Sequence, residues 1–246
     1  LVFGRRKTGK SFLVENFTKY DEYFFVKRDR TIISTKDGST LSFETFFKLL
    51  ERALSQGKTV VVDEFHRLED SFFDSLHYLK KQGRLILISS TLFLSKKLLS
   101  KNSPLLGFFA ENQVQMISLK DSLAALQNFK LEKRQAVEFA ILLREPLAID
   151  YFEEVSPKHL YAKILTGSMK TIPALIGEVF TEEDRSLSAI YEAVLRAIAN
   201  GNVISSEISN CLYSKKLIKK DDPSIIQQYL NNLVEFGIIK KIGVYG

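Results

Sequence analysis

The sequence predicts an α/β fold: a parallel sheet flanked by helices, followed by a region of helices alone. Three observations predict it. Short apolar runs alternate with stretches of helical period through the first half of the chain. Two of these runs, Thr59-Val60-Val61-Val62 and Leu85-Ile86-Leu87-Ile88, are apolar without interruption, as strands covered on both faces are. After residue 120 the strand-like runs give way to helical patterns.

In order, residues 1–3 read as a short strand that runs into a glycine-containing loop, residues 4–9. Residues 10–19 read as a helix with Phe12, Leu13 and Phe17 on one face, and residues 23–26 as a second strand. Residues 31–39 are polar and turn-rich. Residues 41–54 carry Phe43, Phe46, Phe47, Leu50 and Leu54 at helical spacing, a core stripe that Gly57 ends. Strand 59–62, helix 72–81, a stop at Gly83, strand 85–88, helix 92–99 and a fifth strand over 114–119 complete the sheet region. Helices are then expected over 121–152, over 157–180 with breaks at Gly167 and Pro173, and over 187–199. A short helix capped by Ser205 or Ser206 runs through Leu212, and Pro223 starts another over 224–236. Residues 238–244 read as a β-ribbon arm, which completes a winged-helix order.

With 45% hydrophobic and 26% charged residues, a chain of 246 residues builds a packed core rather than a disordered one. A net charge of +6 fits either a phosphate or nucleic-acid partner or a solvated lysine-rich surface. Cys211 is the single cysteine, which excludes an internal disulfide framework and a cysteine zinc cluster and fits a reducing, cytoplasmic setting. No apolar run reaches the ~20 residues that span a bilayer. The chain opens inside a strand-like run and closes inside another element, so both ends are read as cut.

Gly4-Arg5-Arg6-Lys7-Thr8-Gly9-Lys10-Ser11 matches G-x-x-x-x-G-K-[ST] at every fixed position, between a strand and a helix. Glycines let such a loop wrap phosphates closely, so that backbone N–H groups point inward and the helix N-terminus adds its positive end. Lys10 then reaches the β- and γ-phosphates of ATP and Ser11 ligates Mg²⁺, with Arg5, Arg6, Lys7, Thr8 and Phe12 completing the loop's contacts. Asp63 and Glu64 end the third strand. Asp63 is the candidate metal ligand and Glu64 the general base on water. His66 is read either as a γ-phosphate contact or as a first-turn surface residue. Among Ser89, Ser90 and Thr91, which end the next strand, Ser90 is the candidate contact to the γ-phosphate or its water; the other reading is helix capping.

These residues resemble the archaeal ATPase family of P-loop proteins, signal-transduction ATPases related to AAA+ and Cdc6-type proteins. The resemblance rests on Gly4-Arg5-Arg6 through Ser11 and on Val61-Val62-Asp63-Glu64-Phe65, with looser matches at Ser103-Pro104-Leu105-Leu106-Gly107-Phe108 and Arg144-Glu145-Pro146. It implies a P-loop nucleoside-triphosphatase core over residues 1–120, a helical lid over 121–184 and a winged helix-turn-helix over 185–246. It also implies an ATP-driven switch, Pro146 closing the lid on the base, and an effector such as a nuclease-like domain beyond the C-terminus. Two positions depart from the family: Phe108 stands where an arginine is usual, which bears on hydrolysis, and the glycine before Pro146 is absent.

The C-terminal module supports two readings. Gln227, Gln228, Asn231 and Asn232 suit base edges, and Lys215, Lys216, Lys219, Lys220, Lys240 and Lys241 suit the phosphates of duplex DNA. Asp221, Asp222 and Glu235 oppose DNA, and the family resemblance implies instead a module that packs on the nucleotide domain or on a protein partner. A scaffold that binds nucleotide with little turnover is the third reading, favoured by Phe108.

Overall fold

The computed structural model describes residues 1–76, 78–79, 82–92, 107–182 and 188–243. The chain divides into two compact units, Leu1–Ile172 and Pro173–Gly246.

The first unit is built on a seven-stranded sheet of order β4-β3-β2-β5-β6-β1-β7. Its strands are β1 (Val2–Phe3), β2 (Glu22–Val26), β3 (Ile32–Ser34), β4 (Thr40–Leu41), β5 (Thr59–Asp63), β6 (Arg84–Ser89) and β7 (Asn112–Gln113). Five of them, β2, β5, β6, β1 and β7, run parallel. The all-parallel expectation is corrected at one edge, where β3 pairs antiparallel with β2 and β4 with β3. Turn chemistry explains the difference. The Asp29 carboxylate accepts from the Thr31 amide at 3.0 Å, and Arg30 takes φ 64°, so the chain reverses between β2 and β3. Asp37 and Gly38 make the next reversal. Within the stretch read as turn, Ile32 and Ser34 are therefore buried strand residues.

The central strand shows why an uninterrupted apolar run is needed. Side chains alternate across a sheet. Val60 and Val62 thus join the core beneath α2 (Phe43–Ser55) and α3 (Asp70–Ser75), while Val61 packs with Val14 of α1 (Lys10–Phe17) on the other face. Ser42 caps α2 by accepting from the Thr45 amide, and Phe46, Leu50, Ala53 and Leu54 form its buried stripe. On α1 the face bearing Phe12, Leu13 and Phe17 is turned to solvent, and only Lys10 and Val14 are buried.

The fifth strand lies earlier than its apolar pattern implies. Asn112 and Gln113 pair with β1, and the Val114 amide donates to the Phe3 carbonyl at 2.7 Å. Farther along, the Ile117 amide donates to the Arg144 carbonyl at 2.9 Å, so the apolar residues after Val114 turn toward the helical region. The helix expected over 92–99 lies mostly outside the described residues, and the helix at 72–81 is shorter, Asp70–Ser75.

The helical part of this unit comprises α4 (Leu119–Ala125), α5 (Lys133–Leu142), a 3-10 turn (Pro146–Tyr151) and α6 (Pro157–Ser168). They enclose Leu126, Phe139, Ala140, Leu143, Ala148 and Leu160. Gly167 does not break α6; it lies where the Tyr151 ring leaves no room for a Cβ, 2.6 Å away. The break falls between α6 and α7 (Thr171–Glu182), and Pro173 occupies the first turn of α7, where its missing N–H costs nothing.

In the second unit α8 (Ala189–Ala199), α9 (Ser205–Ser214) and α10 (Pro223–Glu235) follow one another. Phe180 packs edge-on against Tyr191 and Phe236, and Val194, Ile208, Leu212, Ile226 and Leu233 are buried with them. Ile204 stands at the N-cap position of α9, with Ser205 its first residue, so neither Ser205 nor Ser206 is the cap. The β-ribbon arm is corrected: residues 238–243 carry no strand, and Val244 lies outside the described residues. Among the described residues no helix is long and apolar enough to cross a membrane.

Candidate functional site

The carboxyl ends of β1, β5 and β6 bring the sequence-predicted residues together. Gly4 follows β1 and passes against the edge strand so closely that a Cβ would lie 2.2 Å from the Val114 carbonyl oxygen. At the other end of the loop Gly9 takes φ 84° and starts α1. Between them the Arg5 carbonyl accepts from the Thr8 hydroxyl at 2.7 Å and from Lys10 Nζ at 2.9 Å. Lys10 is 6% exposed. Burial lowers its pKa to about 8, against the opposing pull of Glu64 and then Asp63, while Arg6 and Arg5 lower it further. Lys7 is exposed at φ 63°, and the Phe12 ring is exposed, set edge-on against Phe17.

Asp63, the last residue of β5, is 3% exposed and fully engaged. Its Oδ2 accepts from the Ser11 hydroxyl at 2.7 Å and from the Tyr23 phenol at 2.8 Å, and its Oδ1 accepts from the Glu64 amide at 2.8 Å. Burial, followed by the Asp63 charge, pushes the Tyr23 phenol far above its ordinary pKa, which keeps it a proton donor. The Ser11–Asp63 pair fits Mg²⁺, a hard cation that takes few protein oxygens and fills its shell with phosphate and water. Among the described residues no group of three or more His, Cys, Asp or Glu side chains could hold a metal ion.

At Glu64 the chain leaves the strand with φ 57°. Glu64 Oε2 accepts from the Ser90 hydroxyl at 2.7 Å, with Arg67 Nη2 at 3.3 Å and His66 Nε2 at 3.6 Å from the same oxygen. Ser90 therefore binds Glu64. His66 is not a surface residue: its side chain is 3% exposed and its Nδ1 lies 3.0 Å from the Ser89 hydroxyl, which also bonds Thr91.

Two further candidates lie outside the phosphate loop itself, one remote from it and one beside it. Phe108 lines a cavity of about 840 Å³ with Leu13, Phe17, Leu1 and Arg84, at the amino ends of β1 and β6, the opposite end of the strands from the loop. Pro146 opens the 3-10 turn, and Glu145 before it forms an ion pair with Arg5 of the loop. Tyr23 and Arg67 thus belong to the arrangement without any motif that marks them, while Glu145, which lies in the Arg144-Glu145-Pro146 segment, has no sequence-assigned role of its own. The only sequence signal was the three-residue spacing of Glu64 and Arg67 on a tight turn.

Residues 1–123 match the family model described as AAA domain. No curated protein matches the chain. Among solved structures it is similar to the Aeropyrum pernix ORC2 protein in its ADPNP–ADP complexes, at 12% identity and TM-score 0.51 over 97% of this chain and 80% of that one. It is also similar to the Aeropyrum pernix ORC1 protein in complex with DNA, at 14% identity and TM-score 0.36 over 96% and 77% of the two chains. Cdc6p from Pyrobaculum aerophilum matches at 13% identity and TM-score 0.36 over 96% and 79%. At such identities the likeness to ORC2 concerns the fold alone, and the two lower scores add nothing to it.

Proposed function

The chain belongs to the AAA-domain family of P-loop ATPases, and from that premise we propose that it binds Mg²⁺–ATP on the loop Gly4–Ser11 and hydrolyses it, acting as a nucleotide-dependent switch. The observation that carries this reading is the 2.7 Å contact between the Ser11 hydroxyl, at the start of α1, and the Asp63 carboxylate, at the end of β5. It puts the two proposed metal oxygens side by side below the phosphate loop.

The roles follow from charge and geometry. Backbone N–H groups at the start of α1 face incoming phosphate oxygens. Lys10 moves from the Arg5 carbonyl to the phosphates, where its charge offsets theirs. Mg²⁺, when bound, neutralises phosphate charge and polarises the γ-phosphoryl group. Tyr23 holds Asp63 in place, and Glu64 takes a proton from water. In this reading residues 1–120 form the ATPase core, 121–184 the lid and 185–246 a winged helix-turn-helix, whose support is the order α8, α9, α10. Phe108 does not weaken the same-chain phosphate site, because it lies at the other end of the strands.

Mg²⁺–ATP binding and phosphate release by the wild type, Lys10→Ala and Glu64→Gln test the reading. The expected result is loss of binding in Lys10→Ala and binding without turnover in Glu64→Gln. Wild type that fails to bind ATP overturns it; wild type that binds without release supports the scaffold reading instead.

Duplex DNA is the second reading: the six lysines at 215, 216, 219, 220, 240 and 241 are all exposed, as phosphate contacts require, though the opposing Asp221 and Glu235 are exposed as well. Base reading has less support: Asn232 donates to the Tyr191 hydroxyl at 2.6 Å, and Gln227 donates to Asn231. A steep fall of DNA affinity with salt is the expected signature, and no binding at ~50 mM salt removes this reading.

A further inference from the structure

We propose that Arg67 is the positioning residue of the proposed hydrolysis: anchored on the end of β2, it fixes one oxygen of Glu64 and leaves the other to take the proton of the attacking water. The inference rests on reading Glu64 as the base.

A glutamate that turns out of a strand has three side-chain torsions to fix, and a base must be held close to its working geometry. The structure supplies the fixing groups from three directions. Ser90 comes from the end of β6, His66 from the turn after β5, and Arg67 from the same turn. All three converge on Glu64 Oε2. Glu64 Oε1 accepts no hydrogen bond among the described residues. One oxygen is therefore the grip and the other is available to water.

Arg67 is itself held. Its Nη1 donates to the Val26 carbonyl at 2.8 Å, its amide donates to the Glu64 carbonyl at 3.1 Å, and its side chain is 9% exposed. Val26 is one residue beyond the Phe25–Asp63 register pair, at the level where β5 has turned away from β2. The guanidinium occupies that level and bridges the two strand ends. A planar fork serves this purpose because its two nitrogens meet two acceptors at a fixed separation, which an ammonium cannot do. Glu64 is also the leading charge that opposes the lowering of the Lys10 pKa, so the gripped carboxylate acts on the phosphate-binding lysine.

The step balances simply. The O–H bond of water breaks as its proton passes to Glu64 Oε1, and the water oxygen bonds to the γ-phosphorus. The bond from that phosphorus to the β–γ bridging oxygen breaks, and its electron pair leaves with ADP. The proton on Glu64 then returns to the phosphate product.

The test measures ATP affinity, KM and kcat in the wild type, Arg67→Ala, Arg67→Lys, Glu64→Gln and the double variant Glu64→Gln/Arg67→Ala. Arg67→Ala is expected to lower kcat about 10- to 100-fold, with ATP affinity and KM changed by less than about 3-fold. Arg67→Lys, which keeps the charge and meets only one acceptor, is expected to recover part of that loss. In the double variant Arg67→Ala is expected to add no loss to that of Glu64→Gln, since its effect runs through Glu64. An unchanged kcat in Arg67→Ala overturns the proposal, as does loss of turnover together with ATP binding, which marks a merely structural tie. If Arg67→Ala does not fold, Arg67→Lys decides by the same split of kcat from KM. Failure of the base reading looks different: Glu64→Gln then turns over like the wild type.

Discussion

At the scale of single residues, Tyr23 is the test of how Asp63 is held. The phenol gives one of the two hydrogen bonds to Asp63 Oδ2, and both partners are at most 4% exposed. Tyr23→Phe removes the donor and keeps the ring, so ATP binding without metal should be unchanged. Mg²⁺ or Mn²⁺ affinity, read by Mn²⁺ resonance on the ATP complex, should fall about 10-fold, as is usual for a lost outer-shell partner. Lys10 carries the pH dependence. Its free-state pKa of about 8 is below that of an exposed lysine, and phosphate will raise it again. Above pH 8 the free protein is partly neutral at this position and the complex is protonated. ATP binding should then take up as much as about one proton and weaken as pH rises. Calorimetry in buffers of different ionisation enthalpy reads this uptake, and Lys10→Ala should abolish it. The loop and the Asp63-Glu64 pair were legible as candidates because the proposed phosphate and metal chemistry is written in short contiguous motifs. Tyr23 and Arg67 were not, since what recruits them is the register of β2 against β5 and one turn's dihedral angles.

Elements were legible where pattern and burial coincide. β5, β6, α2 and α10 follow from apolar runs and helical spacing. The β3–β4 hairpin was missed because its strands are three and two residues long and its polar turn residues dominate the composition. β7 was displaced because a polar edge strand, Asn112–Gln113, has no apolar pattern to reveal it. The arm after α10 failed for a related reason: apolar Ile238 and Ile239 donate their amides back to the Leu233 carbonyl and finish a helix instead of pairing as a strand. The fully buried central strand sets the stability of the sheet. Val61→Ala, at 0% exposure between two covered faces, should lower unfolding stability by about 1–3 kcal/mol with the nucleotide site otherwise intact, measured by urea titration.

For the whole molecule, the alternating and then all-helical order was enough to place the sheet, while the division into compact units at Ile172 and Pro173 was not, because it falls inside α7, where the helical pattern continues unbroken. Every proposed phosphate and metal contact lies in the first unit. Nucleotide should accordingly stabilise the chain by mass action, by about 2.7 kcal/mol at a hundredfold excess over Kd. A melting temperature that rises with Mg²⁺–ATP in the wild type and stays fixed in Lys10→Ala is the expected outcome of thermal scans.

The ion pair between Arg5 and Glu145 has a consequence best put as odds. Its side chains are 31% and 34% exposed, so it is worth at most about 1 kcal/mol, roughly a fivefold preference for the joined arrangement. Before any nucleotide arrives, the loop is then found with Arg5 released at least about one time in six. In the proposed switch, a phosphate that draws Arg5 away from Glu145 would have only this small bias to overcome, and the turn at Pro146 would register it only as a change in the released fraction.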